Sequence, residues 1–268
     1  MAKRKRAEWL RAAWALAASG CTTIAGLDGD YHPPEGQGGA SGSTGSLSST
    51  SGGGEVLPAV ADMIDDMEDG DNAINDAGGR EGYWYSFNDG TETAMQTPPA
   101  APGEEAEPFT MTTLDPARLQ STTAACTQGS GFTAWGAAIG FDLNNPYGVK
   151  MPYDGSAHRG ITFWARIAAG TADRVKVMIS DGSTAPEGGH CDPDGIEPEM
   201  CNDNWADTLT LSDRWEQHAI AFEDLVQGQW GAEPLTPTLD ATAMYSVQLL
   251  VDPSVDFDFC IDDIGFYD

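Results

Sequence analysis

Acidic residues crowd two places in this chain, and burying or bunching ionised carboxylates is costly without a partner. Asp62, Asp65, Asp66, Glu68, Asp69 and Asp71 place six carboxylates in ten residues, and Asp262-Asp263 form a second group near the last residue. If the first segment lies beside the terminal one, these charges meet in a small volume and need a counter-ion. Calcium suits the demand, because it accepts 6 to 8 oxygen ligands in loose geometry. Asp66 and Glu68 share one face by strand parity, so the expected structural calcium site is Asp66, Glu68 and Asp263. The competing reading is a solvated acidic edge that discourages strand-to-strand aggregation.

A further acid-rich stretch runs from Cys191 to Asp203 and contains Asp192-Pro193-Asp194-Gly195. It imitates an EF-hand loop without being one. With Gly195 at loop position six, position one is His190 and position twelve is Cys201 rather than the glutamate such a loop requires. Beyond Cys21 the chain has Cys126, Cys191, Cys201 and Cys260, an even count that in an exported protein favours disulfides and allows three connectivities. Cys191 and Cys201 enclose a short loop with two prolines and a glycine, and are the expected pair. Zinc, with His190 adjacent, lacks the CxxC spacing that would support it.

Aromatic rings with polar neighbours are the side chains suited to sugars, the ring stacking on a pyranose face and the polar groups bonding hydroxyls. In Ile161-Thr162-Phe163-Trp164-Ala165-Arg166-Ile167, the apolar Ile161, Phe163 and Ala165 point one way and Trp164 and Arg166 the other. Likewise Ser246 and Gln248 oppose Tyr245, Val247 and Leu249. Trp164, Arg166, Ser246 and Gln248 are therefore the expected ligand-binding residues, on condition that they share one concave sheet. The alternative is a Trp164 covered by a loop. Trp84, Trp135, Trp215 and Trp230 sit beside glycines or strand starts and read as core or turn packing. Catalytic signatures are missing: there is no Gly-x-Ser-x-Gly, His-Glu-x-x-His or P-loop, and no Glu-x-Asp-x-x-Glu. Acids are plentiful enough for a glycosidase pair to occur by chance, which is not evidence of an enzyme.

The elements that must hold these residues are strands. The chain of 268 residues has a net charge of -29. Residues 1–20 hold Lys3, Arg4, Lys5, Arg6 and Arg11 against Glu8, a balance of +4, so the remainder carries -33. Such a body repels phosphate backbones and anionic membrane surfaces, which argues against nucleic-acid binding. Residues 1–20 read as a signal peptide, a basic cluster followed by a short apolar run that is too brief to span a bilayer. Ala18-Ser19-Gly20-Cys21 resembles the bacterial lipoprotein processing box, although Leu16 lies two residues early. That resemblance implies lipidation of Cys21 and, with Thr22 following, the outer membrane; ordinary secretion is the alternative. Residues 21–58 read as a tether rich in Gly, Ser and Thr, and 59–268 as one domain.

Period-two alternation over Ile161 to Ile167, Val175 to Ile179 and Tyr245 to Val251 predicts strands. Shorter candidates are Tyr83 to Phe87, Thr122 to Thr127, Ala137 to Asp142, Thr208 to Leu211 and His218 to Phe222. Glu223 to Val226 suggests one helical turn, and Thr97 to Pro108 an exposed loop. Phe257, Phe259 and Ile261 alternate with Asp258, Cys260 and Asp262, so the last segment reads as a half-buried strand paired inside a sheet. Many short, turn-punctuated strands argue an all-β sandwich or barrel.

Taken in order, Ile64-Asp65-Asp66-Met67-Glu68-Asp69-Gly70, Gly131-Phe132-Thr133-Ala134-Trp135-Gly136, Tyr153-Asp154-Gly155-Ser156 before Gly160-Ile161-Thr162-Phe163-Trp164-Ala165, Trp215 with Phe222 and Leu225, and Ile261-Asp262-Asp263-Ile264 resemble the galactose-binding-like jelly rolls. Within that group the likeness is to carbohydrate-binding modules of the family 11 type, over roughly residues 60–268. The resemblance implies an all-β, two-sheet antiparallel jelly-roll β-sandwich with its N- and C-terminal strands adjacent, a structural calcium near the chain ends, and a glycan laid across the concave sheet. Cys260 stands where the family often carries an aromatic, and a bond to Cys126 is the pairing this suggests. The expectation is a monomeric, non-catalytic domain that binds a polysaccharide or cell-surface glycan and meets a membrane only through an N-terminal lipid. An envelope or adhesion protein with a protein partner, and a glycan-active enzyme, are the alternatives.

Overall fold

The computed structural model describes residues 57–100 and 108–268. The expected signal peptide, Cys21 and nearly all of the tether lie outside the described residues. The described chain forms strands β1 (Asp62–Asp65), β2 (Trp84–Asn88), β3 (Met95–Thr97), β4 (Thr112–Arg118), β5 (Ser121–Ser130), β6 (Ala137–Asp142), β7 (Gly160–Ile167), β8 (Arg174–Asp181), β9 (Trp205–Thr210), β10 (Glu216–Ala221), β11 (Met244–Val251) and β12 (Phe257–Tyr267). One sheet runs β10-β7-β12-β5-β3, with β1 added on β12 and β4 on β5; the other runs β2-β6-β11-β8-β9. Every strand pair is antiparallel. The molecule is a two-sheet jelly-roll β-sandwich, and β1 pairs β12, Asp62 lying opposite Phe266.

Alternation explains which residues fill the space between the sheets. Ile161, Phe163 and Ala165 of β7, Ile139 and Phe141 of β6, Val177 and Ile179 of β8, and Val247 and Leu249 of β11 are all buried in one core. Each of these side chains other than Ala165 contributes about 1.5–3 kcal/mol by leaving water. In β12 the pattern breaks in a useful way. Phe257, Phe259 and Ile261 face the core, and so do Ile264 and Phe266, although the parity has changed. The register against β7 shifts between Asp262 and Gly265, and Asp263 adopts φ 48. This bulge inserts one extra residue, so both halves of β12 bury their apolar residues and Asp262 and Asp263 are delivered side by side.

Some elements differ from the sequence reading. The helical turn lies at Phe222–Asp224, and Val226 instead bridges Ala206 at the edge of β9. Strand β4 was not foreseen. Its Thr-Thr-Leu-Asp-Pro-Ala-Arg contains a proline, which argues against a strand interior unless it falls at an irregularity. Here the β4–β5 register shifts between Thr113 and Arg118, which accommodates Pro116.

Candidate functional site

The two acidic groups do meet, but a side chain already supplies their counter-charge. Arg118, at the end of β4, is 7% exposed; its Nε donates to Asp262 Oδ2 at 2.7 Å and its Nη2 to Asp263. Ser121 Oγ adds a hydrogen bond to Asp262 Oδ2 at 2.6 Å. Burial raises the Asp262 carboxyl above its ordinary value, with Arg118 and Ser121 working against that rise. Glu68 is separately committed. Its Oε1 accepts the backbone N–H groups of Thr122 (2.8 Å) and Thr123 (3.0 Å), and its Oε2 the Thr122 hydroxyl (2.8 Å). Against some desolvation, these donors hold its carboxyl down at about 2. Asp66 accepts the Glu68 N–H. Asp66, Glu68 and Asp263 therefore do not present a shared set of free oxygens, and they do not fit a calcium ion as arranged. Among the described residues no group of three or more His, Cys, Asp or Glu side chains is placed to hold a metal.

Trp164 and Arg166 lie on β7 and Ser246 and Gln248 on β11, so the four expected ligand-binding residues are divided between the two sheets. They cannot form one platform. On the outer side of the seven-stranded sheet, Arg118 stacks over Trp164 (4.8 Å to the centroid) and lies 5.7 Å from Trp215, while Arg166 stacks 5.0 Å from Trp215. Trp164 is half-buried, with the guanidinium of Arg118 at the end of β4 lying over its ring. The same side carries the Cys126–Cys260 disulfide, whose residues are directly opposed on β5 and β12 and pack with Leu114 and Ala124. The Cys191–Cys201 disulfide closes its surface loop as expected.

Ser246 and Gln248 belong to a different surface. Because Trp84, Phe141, Val247 and Ile179 point into the core, their neighbours in sequence form the outer face of the five-stranded sheet. Register aligns Tyr85, Gly140, Gln248, Met178 and Ala206 in one row across all five strands, and Phe87, Ala138, Leu250, Lys176 and Thr208 in the next. On β6, beside β2, the face is floored by the small residues Gly140 and Ala138. A β-carbon on Gly140 would stand 2.6 Å from the Val247 carbonyl oxygen and 3.0 Å from Gln248 Cγ, so only glycine leaves that floor open.

One side of this floor is a line of rings. Tyr85 and Phe87 are 5.8 Å apart and Phe87 and Trp135 5.7 Å, centroid to centroid, and all three are half-buried. Trp135 is held from both flanks, because Asp89 Oδ2 accepts the N–H groups of Ala134 (2.8 Å) and Gly136 (3.1 Å). Gly136 has φ +104 and lies so near the Val251 carbonyl that a β-carbon would come within 2.0 Å of it, a constraint only glycine meets. Beside the rings runs a chain of polar groups. Asn204 Nδ2 donates to Gln248 Oε1 (3.2 Å), Gln248 Nε2 to Ser246 Oγ (3.2 Å), and Ser246 Oγ lies 2.7 Å from Ser180 Oγ.

At one end of the face Tyr85 donates to Asp142 Oδ1 (3.3 Å), which also receives Lys150 Nζ (2.9 Å), while Asn145 Nδ2 donates to Asp142 Oδ2 (2.7 Å). Burial and the Asp142 charge push the Tyr85 phenol up to about 12, so it remains a neutral hydrogen-bonding ring. Lys150 is raised as well: its burial opposes the charge, but Tyr85 and Asp142 outweigh it. The Oδ1 atoms of Asn204 and Asn145 are buried without a hydrogen-bond partner. Rings in a line, an open floor and amide and hydroxyl groups beside them are what a stacked, hydroxyl-rich ligand requires.

The sequence reading named Ser246 and Gln248, which lie on this face, and did not name Tyr85, Phe87, Asn204, Lys150 or Arg118. The alternation in Tyr83-Trp84-Tyr85-Ser86-Phe87 contained the signal, since one parity holds a core tryptophan and the other only aromatics. Trp135, read as turn or core packing, is packed in a turn and also extends the line of rings.

The fold and this face define an antiparallel jelly-roll β-sandwich with an aromatic-lined sheet surface. No protein-family model matches the chain. It is 27% identical over 175 residues to Endoglucanase 3 of Fibrobacter succinogenes, an overlap of 64% of this chain and 22% of that protein; the chain spans about a fifth of this curated relative. Among solved structures it is similar to the family 11 carbohydrate-binding module of the cellulosomal cellulase Lic26A-Cel5E of Clostridium thermocellum, with a TM-score of 0.46 and 17% identity over 78% of this chain and 95% of that one. The Clostridium thermocellum family 11 module in complex with a β-1,3-1,4-mixed-linked tetrasaccharide is similar at a TM-score of 0.43 and 16% identity, covering 74% and 95% of the two chains.

Proposed function

We propose that residues 59–268 form a non-catalytic carbohydrate-binding domain that takes a polysaccharide or cell-surface glycan on the outer face of the five-stranded sheet. The observation that carries this reading is the line Tyr85-Phe87-Trp135, spaced 5.8 and 5.7 Å, beside the Ser246-Gln248-Asn204 chain. Rings of this kind bind pyranose faces and the amides discriminate hydroxyl positions. A glycosidase would need two positioned carboxylates. Asp142, the acid beside Tyr85, is instead tied down by Lys150 and Asn145. Partial similarity to an endoglucanase suits a domain that accompanies glycan chemistry without performing it.

The domain is read as monomeric and exported, anchored through a lipid on Cys21 at the outer membrane or secreted. Two disulfides suit an oxidising compartment, and mass spectrometry of the mature N-terminus tests the anchor. Binding is tested by affinity electrophoresis in gels containing glucan, mannan or galactan. Retardation by at least one of them, lost in Phe87→Ala while the circular dichroism spectrum is unchanged, is the expected result. Absence of retardation by any of these glycans with the fold intact would overturn the proposal.

A further inference from the structure

We propose that the loop from Asn144 to Met151 is a wall of the same glycan site, with Tyr147 as an additional stacking residue that only longer ligands reach; this rests on the carbohydrate-binding reading. Tyr147 is 99% exposed, and Val149 and Met151 of the same loop are 62% and 46% exposed. An aromatic side chain in that position contributes nothing to the core. Its backbone is nevertheless held in the left-handed region, at φ 56 and ψ 29, where a side chain other than glycine is strained.

The loop is fastened at both feet to one carboxylate of the aromatic face. Asn145 Nδ2 lies 2.7 Å from Asp142 Oδ2 and Lys150 Nζ 2.9 Å from Asp142 Oδ1. Lys150 also stands over the Tyr85 ring, 5.5 Å from its centroid. Main-chain bonds complete the frame, from Asn145 N–H to the Glu81 carbonyl, Val149 N–H to that of Pro146 and Met151 N–H to that of Asn144. The frame thus displays an unpacked ring on a loop tied, through Lys150 and Asp142, to the Tyr85 end of the line. Its occupant is the next sugar of the chain lying on Tyr85, because the loop is continuous with that surface through Lys150. Asp142, Asn145 and Lys150 act as positioning residues and Tyr147 as the contact.

The test is isothermal titration of the wild type, Tyr147→Ala, Tyr147→Phe and Phe87→Ala with length series of linear β-glucan, β-mannan and β-galactan oligosaccharides. One stacked ring is worth a loss of about tenfold in affinity. Tyr147→Ala is expected to leave the shortest bound fragment unaffected and to weaken the longest about tenfold, with Tyr147→Phe restoring it. Equal affinity of Tyr147→Ala and wild type for every length overturns the inference while the binding face, reported by Phe87→Ala, stands. A loss independent of length also overturns it, since the loop would then act on the whole site. Failure of the wild type to bind any member overturns the carbohydrate-binding reading, and the inference with it.

Discussion

Replacing Arg118 with glutamine removes the only cation hydrogen-bonded to the Asp262 side chain in the described structure. Asp262 has a fully buried side chain, and the side chain of Arg118 is 6% exposed. Without the guanidinium, Asp262 Oδ2 keeps one donor, Ser121, and Oδ1 already has none. Breaking a buried pair on one side costs about 3–5 kcal/mol. The cost has a ceiling, because the carboxylate escapes by protonation. Reckoned from an ordinary value of 3.8, holding Asp262 neutral at pH 7 would cost about 4.4 kcal/mol, and because its folded-state carboxyl already sits above 3.8 the ceiling lies below that. Lost stacking on Trp164 and Trp215 adds about 1 kcal/mol. The sign with pH follows from Asp262 itself. Its folded-state value is already raised, and removing Arg118 raises it further, so the variant gains stability relative to wild type as pH falls from the variant's value to the wild-type folded value, and no further below it. Urea unfolding at a series of pH values is expected to show a deficit of about 4 kcal/mol at pH 7 that shrinks to about 1 kcal/mol near pH 4. The double variant Arg118→Gln/Asp262→Asn should recover most of it at pH 7. A deficit below about 1 kcal/mol at pH 7, or one unchanged down to pH 4, would refute the pairing argument.

The same arrangement makes the wild-type melting temperature insensitive to chelator, because arginine rather than calcium balances the acids; a drop in EDTA that added calcium reverses would show that the acids hold the metal after all. Glu68 has a carboxyl depressed from 4.5 to about 2, so its contribution is present above pH 4.5 and lost as pH falls toward 2. The full linkage of about 3.4 kcal/mol is reduced by solvent exposure to about 1 kcal/mol, and Glu68→Gln should cost that much at pH 7 and progressively less below pH 4 in urea titrations. Asp65 is pushed up to about 6 by burial, against the Met67 N–H and the Trp84 indole N–H that it accepts. The folded protein accordingly gains stability as pH falls from about 6 to 4, and the carboxyl carbon of Asp65 should titrate near 6 by NMR; a midpoint at or below 3.8 would mean the two donors outweigh burial. Replacing Cys126 and Cys260 together with alanine opens a crosslink between residues 134 apart in sequence and is expected to cost about 3–5 kcal/mol in urea unfolding, with a cost near zero counting against that bond as a restraint.

Much of the fold could be read locally because local periodicity and burial agree. The strands at Gly160–Ile167, Arg174–Asp181 and Met244–Val251 follow from apolar residues at every second position, a pattern only a half-buried strand uses well. The Cys191–Cys201 pairing was accessible for a similar reason, since its partners are ten residues apart. The site was harder. Tyr85 and Phe87 alternate with Trp84 and Ser86, so two parities compete to be called the apolar face, and only the position of the second sheet decides that Trp84 goes inward.

By itself the sequence determined that this is a strongly acidic chain with a β-sandwich domain, that Asp262 and Asp263 need a positive partner, and that Ser246 and Gln248 point away from the core. Those statements depend on composition and on spacing within one strand. Tertiary structure decided the rest. The partner of the acids is Arg118, 144 residues earlier than Asp262, brought there by the β4–β5 hairpin. Trp164 and Arg166 fall on one sheet and Ser246 and Gln248 on the other, because strand parity says which side of its own sheet a residue faces but not which sheet the strand joins. Strand order across the sandwich is set by contacts between distant segments, and it is that order which lines Tyr85, Phe87 and Trp135 along an open floor.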